Sequence, residues 1–153
     1  MKRGILTLII IITLVSCNQS KKEKQNLPDI KSIAGKSITD VEKILGKSDK
    51  TEVFSENSTP CKNIPCQKVY FQKDKYEIIF INGKSDWITI NNLSEYDFDE
   101  GNIEIFGLTR VEPEFKNPTD LIRWKNIQGL NEISIFNDGS DRISYAYIKV
   151  ITE

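Results

Sequence analysis

From Lys68 onward the chain repeatedly alternates apolar and polar residues at period two. Lys68–Gln72 (KVYFQ), Tyr76–Ile81 (YEIIFI), Trp87–Ile90 (WITI), Leu121–Lys125 (LIRWK), Glu132–Phe136 (EISIF) and Arg142–Val150 (RISYAYIKV) all carry the pattern. Successive side chains of a strand point to opposite faces, so each run has one face to bury and one to leave toward water. Asn82-Gly83 is a two-residue hairpin signal between the second and third runs, and Asp138-Gly139 turns the last hairpin. Short strands separated by tight turns predict antiparallel meanders.

Helical patterning is confined to short pieces. In IAGKSITDVEKILG, Thr39 precedes Glu42 by three, the spacing of a capping box. Asp40 and Glu42 fall in the first turn, Val41, Ile44 and Leu45 share a face, and Gly46 follows as a left-handed stop. Ile103–Phe106 reads as one more helical turn ending at Gly107. The expected fold is α+β, with short helices packed on one face of the meanders. The expected core is Val41, Ile44, Leu45, Val69, Phe71, Ile78, Phe80, Ile88, Phe106, Ile122, Trp124, Ile133, Ile135, Ile143 and Tyr145.

The two sets of strands resemble each other. With an offset of 55, EIIFINGKSDWITI and EISIFNDGSDRISY match without gaps at six of fourteen positions. With an offset of 61, Leu45-Gly46 falls on Phe106-Gly107, and the six-residue difference equals the length of CKNIPC. Two tandem helix-plus-sheet units, 33–91 and 96–153, with the cysteine loop inserted in the first, are therefore an expectation.

The first residues carry a different message. Lys2 and Arg3 precede an apolar run, Ile5 to Val15, the length of a signal-peptide core and too short to span a bilayer. Leu14-Val15-Ser16-Cys17 resembles a bacterial lipobox at all four positions. The resemblance implies that residues 1–16 are a signal peptide and that Cys17 becomes the acylated N-terminus. Asn18 follows where an Asp would retain an enteric lipoprotein in the inner membrane, so the outer membrane is expected. Several acyl chains would anchor stably where one holds only marginally. Residues 17–27 then read as a flexible tether, with 28–153 as one globular domain. Removing the 16-residue leader leaves 137 of 153 residues, and without Lys2 and Arg3 there are 19 basic against 22 acidic side chains. A net charge of −3 is not the balance of a nucleic-acid binder.

The remaining cysteines, Cys61 and Cys66, are expected to form a disulfide in an exported chain. Such a short loop gains about 2 kcal/mol or somewhat more. Four residues between the thiols do not suit a C-x-x-C redox centre, and a metal site would need further ligands.

GKS occurs at Gly35-Lys36-Ser37, Gly46-Lys47-Ser48 and Gly83-Lys84-Ser85, which suggests a phosphate-binding loop. The leading glycine of that motif would stand at Ile30, Val41 or Ile78, so no copy qualifies and no nucleotide is expected. The chain has no histidine, which removes Ser-His-Asp and Cys-His catalysis and histidine-ligated metals; no cofactor is expected. The carboxylates that remain for catalysis cluster at Glu95, Asp97, Asp99 and Glu100, but their spacing fails as a calcium loop and supplies no facing partner for a glycosidase pair.

Gly35, Thr39, Val41, Leu45 and Gly46 together resemble the opening of the small outer-membrane lipoproteins of the SmpA/OmlA (BamE-like) family, with Ser48 where that family has proline. That family and the β-lactamase-inhibitor-like proteins place short helices against an antiparallel sheet, the latter in tandem. More broadly the chain resembles Bacteroidota lipoproteins of unassigned function. The resemblance implies a binding or scaffolding role with a protein partner. A carboxylate hydrolase and an inhibitor or immunity-type lipoprotein are the alternatives. Trp87, Trp124, Tyr145 and Tyr147 lie on expected strands, and whichever of Trp87 and Tyr147 faces outward would mark a protein or glycan contact surface.

Overall fold

A computed structural model describes residues 26–53 and 60–151. Cys17 and the expected signal peptide lie outside the described residues. Among the described residues two short helices come first, α1 (Ile30–Ile33) and α2 (Ile38–Leu45). They are followed by β1 (Lys50–Val53), β2 (Cys66–Phe71), β3 (Tyr76–Ile81) and β4 (Lys84–Ile90). A 3₁₀ helix (Glu100–Phe106) then leads into β5 (Phe115–Asn117), β6 (Leu121–Ile127), β7 (Leu130–Asn137) and β8 (Ile143–Lys149). All eight strands form one antiparallel sheet in the order β1-β2-β3-β4-β8-β7-β6-β5. Each set of four is a meander, and the last strands of the two sets, β4 and β8, pair at the centre.

The alternation read in the sequence becomes a row of core contacts across this sheet. Val69 lies opposite Ile78, Ile78 opposite Ile88, Ile88 opposite Ile148, Ile148 opposite Ile133, and Ile133 opposite Trp124. All six are buried, and α1, α2 and the 3₁₀ helix cover them with Ile30, Ile33, Val41, Leu45, Ile103 and Phe106. Burying such side chains contributes roughly 1.5–3 kcal/mol each. One core therefore serves both meanders.

Four local expectations change. The cap of α2 is Ser37, not Thr39: its Oγ accepts from the Asp40 amide at 3.3 Å and donates to Asp40 Oδ2 at 2.7 Å. With that start, Ile38, Val41 and Leu45 form the inward stripe, and Ile44 is left at the flank, 41% exposed. Gly46 does stop the helix with positive φ (88°), but its ψ of 178° is outside the left-handed helical region. Tyr145 is not core; it lies partly exposed and stacked on Phe136, with ring centroids 4.4 Å apart.

The six-of-fourteen match also breaks at a definite place. β3 and β4 close on Asn82-Gly83 between Ile81 and Lys84, whereas β7 and β8 leave five residues between Asn137 and Ile143. Ser85 and Asp86 thus lie in a strand, while Ser140 and Asp141 lie in a loop. The gapless equivalence of residues stops at the turn.

The three GKS copies have local roles. Ser85 of the third is fully buried against the first. Its Oγ donates to the Ile33 carbonyl at 2.5 Å and accepts from the Lys36 amide at 3.1 Å. Backbone bonds from Gly35 N to Ser85 O and from Ser85 N to Lys36 O complete the clasp between the α1–α2 turn and β4.

The turn from β2 to β3 holds Gln72, Lys73 and Asp74 at φ of 54°, 54° and 61°. Three consecutive non-glycine residues in the left-handed region are costly, about 1–2 kcal/mol each. Part of that cost is offset where Asp49 Oδ2 accepts from the Lys73 amide at 2.8 Å. Lys73→Gly keeps this bond and removes the clash, at an entropic cost of about 0.5–1 kcal/mol. We expect a net gain of about 0.5–1 kcal/mol in urea unfolding. A lowered denaturation midpoint would contradict the strain argument.

Candidate functional site

The helices cover one face of the sheet, so the other face is defined by the opposite residues of every strand. Across β2, β3, β4, β8, β7 and β6 these include Tyr70, Glu77, Thr89, Tyr147, Ser134 and Arg123, each opposite the next. A parallel row runs through Lys68, Ile79, Trp87, Lys149, Glu132 and Lys125. Trp87 and Tyr147 thus both lie on this open face, partly exposed, whereas Trp124 is buried in the core and donates its indole N–H to the Val111 carbonyl at 3.0 Å.

The centre of the face is aromatic. Trp87 and Tyr147 meet edge to face, with ring centroids 5.5 Å apart, and the Phe136–Tyr145 stack lies farther along β7 and β8. Cations lie over the rings: Lys149 over Trp87 at 5.4 Å, Lys50 and Lys68 over Tyr70 at 5.3 and 4.9 Å, and Arg123 over Phe115 at 5.4 Å. Each such contact stabilises by about 0.5–1 kcal/mol at an exposed site.

Those cations are also ion-paired within the face. Lys68 meets Glu77 at 2.5 Å, Lys149 meets Glu132 at 3.9 Å, Arg123 meets Glu114 at 3.2 Å, and Lys50 meets Glu52. The Tyr70 hydroxyl donates to Glu52 at 2.9 Å. Burial alone would lower the Lys68 amine, but its hydrogen bonds with Glu77 and Tyr70 outweigh that and raise it. Glu52 is held below the ordinary carboxylate range by Lys50 first and Tyr70 second. The face is therefore a nearly neutral mosaic of aromatic rings and paired charges.

One corner is walled by the cysteine loop. Cys61 and Cys66 are bonded, with sulfurs 2.11 Å apart. Their bridge packs with Ile81 and Ile79 in a small cluster separate from the main core. The Ile64 amide donates to the Cys61 carbonyl at 2.9 Å across a turn whose centre, Lys62-Asn63, has positive φ. The Asn82 amide donates to the Pro65 carbonyl at 3.0 Å, tying the loop to the β3–β4 hairpin.

The candidate catalytic carboxylates do not converge. Asp97 pairs with Arg142 at 2.6 Å. Asp99 caps the 3₁₀ helix by accepting from the Gly101 amide at 2.7 Å. Glu100 pairs with Lys116, whose hydrogen bond is the main cause holding its carboxyl low. None of these three lies on the open face, and the lowered Glu100 carboxyl is the reverse of what a general acid requires.

Three phenols are raised by burial first: Tyr76 in the core, to about 12, Tyr96, with Glu95 adding to it, and Tyr147, with Glu132 adding to it. A folded pKa above the unfolded value means that stability is complete below about pH 10, where the unfolded phenol titrates, and is lost as pH rises through the folded value. Thermal unfolding should therefore show a melting temperature that falls above about pH 10, with a shallower fall for Tyr147→Phe. An unchanged alkaline slope in that variant would refute the assignment.

No family model matches the chain, and no curated protein matches it. Among solved structures it is similar to a cysteine-rich secretory protein from Staphylococcus aureus, at 16% identity with a TM-score of 0.44. That match covers 80% of this chain and 46% of the other, so the chain spans under half of that protein's length.

Proposed function

We propose that the chain is a lipid-anchored protein of the cell envelope, sited at the outer membrane, whose domain is a non-catalytic binding module with the open sheet face as its contact surface. The observation that carries the binding reading is the placement of Trp87 and Tyr147 together on the face that none of the described helices covers. At protein-contact surfaces a few aromatic anchors of this kind carry most of the affinity, and the surrounding ion pairs suit a polar rim. A protein partner is favoured over a glycan because cations already lie over Trp87 and Tyr70, where a sugar would stack. The lipobox-like Leu14-Val15-Ser16-Cys17 carries the anchoring reading.

The reading includes two tandem units, each a helical segment followed by a four-stranded meander. The strand order, in which the second meander repeats the first and β4 pairs with β8, supports it. The helix pair followed by a meander likewise supports the resemblance to the BamE-like and inhibitor-like families.

The surface is tested by placing a photo-crosslinking residue at Thr89, beside Tyr147 on the open face, and at Lys43 on α2, in cells expressing the full chain. An adduct at Thr89, absent at Lys43 and lost on adding Trp87→Ala, is the expected result. Equal labelling at both positions, or labelling indifferent to Trp87→Ala, would reject the surface. Anchoring has its own prediction. Cys17→Ala should abolish acyl labelling and release the protein from the membrane fraction, and persistent labelling would show that Cys17 is not the acceptor.

A further inference from the structure

We infer that the anchored domain keeps its open sheet face off the bilayer and toward the aqueous side, the helical layer being the side from which the tether leaves. The inference rests on the lipid-anchored reading of Cys17 and adds to it the direction in which the contact surface points.

The point where the chain enters the domain is the first ground. Leu27 packs against the main core, on the side of the sheet that the helices cover. Asn26, Leu27 and Asp29 line a groove with Tyr96, Glu104 and Gly107, the last two belonging to the 3₁₀ helix and its cap. Asp29 caps α1 by accepting from the Lys31 amide at 2.9 Å. The chain is thus fastened into the helical layer from Leu27 onward, on the face opposite Trp87 and Tyr147.

Reach is the second ground. From Cys17 to Asn26 there are nine residue steps. At full extension these span at most about 30 Å. Strands of up to eight residues at about 3.3 Å each make the sheet about 26 Å long, and the shortest way round it is past the strand ends. To lay the open face on the bilayer, the same nine steps would have to pass from the helical layer around the sheet to its far side. To bring the helical layer near the bilayer, they need cross only the gap between them.

Chemistry is the third ground. The open face carries Glu52, Glu77, Glu114 and Glu132 among its ion pairs, and its aromatic rings have cations over them. Pressing it into the interface would strip solvent from charges that are already paired, which is unfavourable. Facing water, the same mosaic stays solvated and open to a protein arriving from the aqueous compartment.

Trp87 is a built-in reporter, since the chain has only two tryptophans and Trp124 is buried in the core. The lipidated full chain and its Trp87→Phe variant would be bound to phosphatidylcholine–phosphatidylglycerol vesicles, with and without brominated acyl chains. The difference in fluorescence between the two proteins isolates Trp87, and both are compared with Cys17→Ala in solution. The expected result is flotation with the vesicles, no loss of the Trp87 signal to brominated lipid, and acrylamide quenching equal to that of the soluble protein. Flotation with brominated-lipid quenching, or with acrylamide protection on binding, overturns the orientation and leaves the anchor intact. Failure to float overturns the anchor and the orientation with it.

Discussion

Gly107→Ala should destabilise the domain by about 2–3 kcal/mol, a large effect for one added methyl group. Gly107 ends the 3₁₀ helix at φ 76°, ψ 17°, the left-handed conformation in which a side chain is strained. An added Cβ would lie 2.7 Å from Asp29 Cγ. The contact is specific, because Asp29 is the residue that caps α1. To make room, its carboxylate must give up the Lys31 amide, and a lost cap costs about 1 kcal/mol by itself. A double-mutant cycle separates these parts. Asp29→Ala alone should cost about 1 kcal/mol, and Gly107→Ala added to it should cost less than in the native background, because the clash has gone while the backbone strain remains. Additivity within about 0.5 kcal/mol would mean that Asp29 and Gly107 are not coupled.

How much of this arrangement is legible in the sequence depends on how local its cause is. Tyr76–Ile81 reads as β3 with its observed limits, because alternation and the Asn82-Gly83 turn are both contained in the stretch itself. β1 (KTEV) and β5 (FKN) have no buried residue. They exist as strands because β2 and β6 offer unpaired backbone edges, a cause that lies elsewhere in the chain. α1 is a single turn, IKSI, whose two isoleucines meet partners far away in sequence. The cap of α2 is a closer contest. Ser37–Asp40 and Thr39–Glu42 share a spacing of three, and the choice falls to Ser37, which turns Ile38, Val41 and Leu45 inward together.

The candidate surface was half legible for the same reason. Its aromatic residues are visible as residues, and alternation says that Trp87 and Tyr147 each lie on one face or the other. Their meeting requires that β4 pair with β8 so that Trp87 falls opposite Lys149 and Thr89 opposite Tyr147. No local pattern encodes that register. The same holds for the ion pairs: Lys68 and Glu77 are nine positions apart and Arg123 and Glu114 also nine, distances fixed by hairpins and not by composition. Cys61 and Cys66 are the opposite case, since the bridge joins positions only five apart in the sequence.

The seam between β4 and β8 also decides whether the two meanders can behave as separate units. Ile148 lies fully buried on β8, opposite Ile88 of β4 on one side and Ile133 of β7 on the other. Its truncation to alanine should cost about 2–5 kcal/mol, the range for a large-to-small change in a core that only partly collapses. The form of the transition is as informative as its size. If the shared core makes both halves one cooperative unit, Ile148→Ala shifts a single transition, and far-ultraviolet dichroism, tryptophan fluorescence and near-ultraviolet dichroism coincide along the urea axis. If the meanders are stable on their own, loss of Ile148 weakens the seam and the probes separate, because Trp87 belongs to the first meander and Trp124 to the second. A single shifted transition would leave a tandem origin possible in descent while denying the units independence in folding. A loss below about 1 kcal/mol would mean that the central row of apolar contacts is not what joins the two halves.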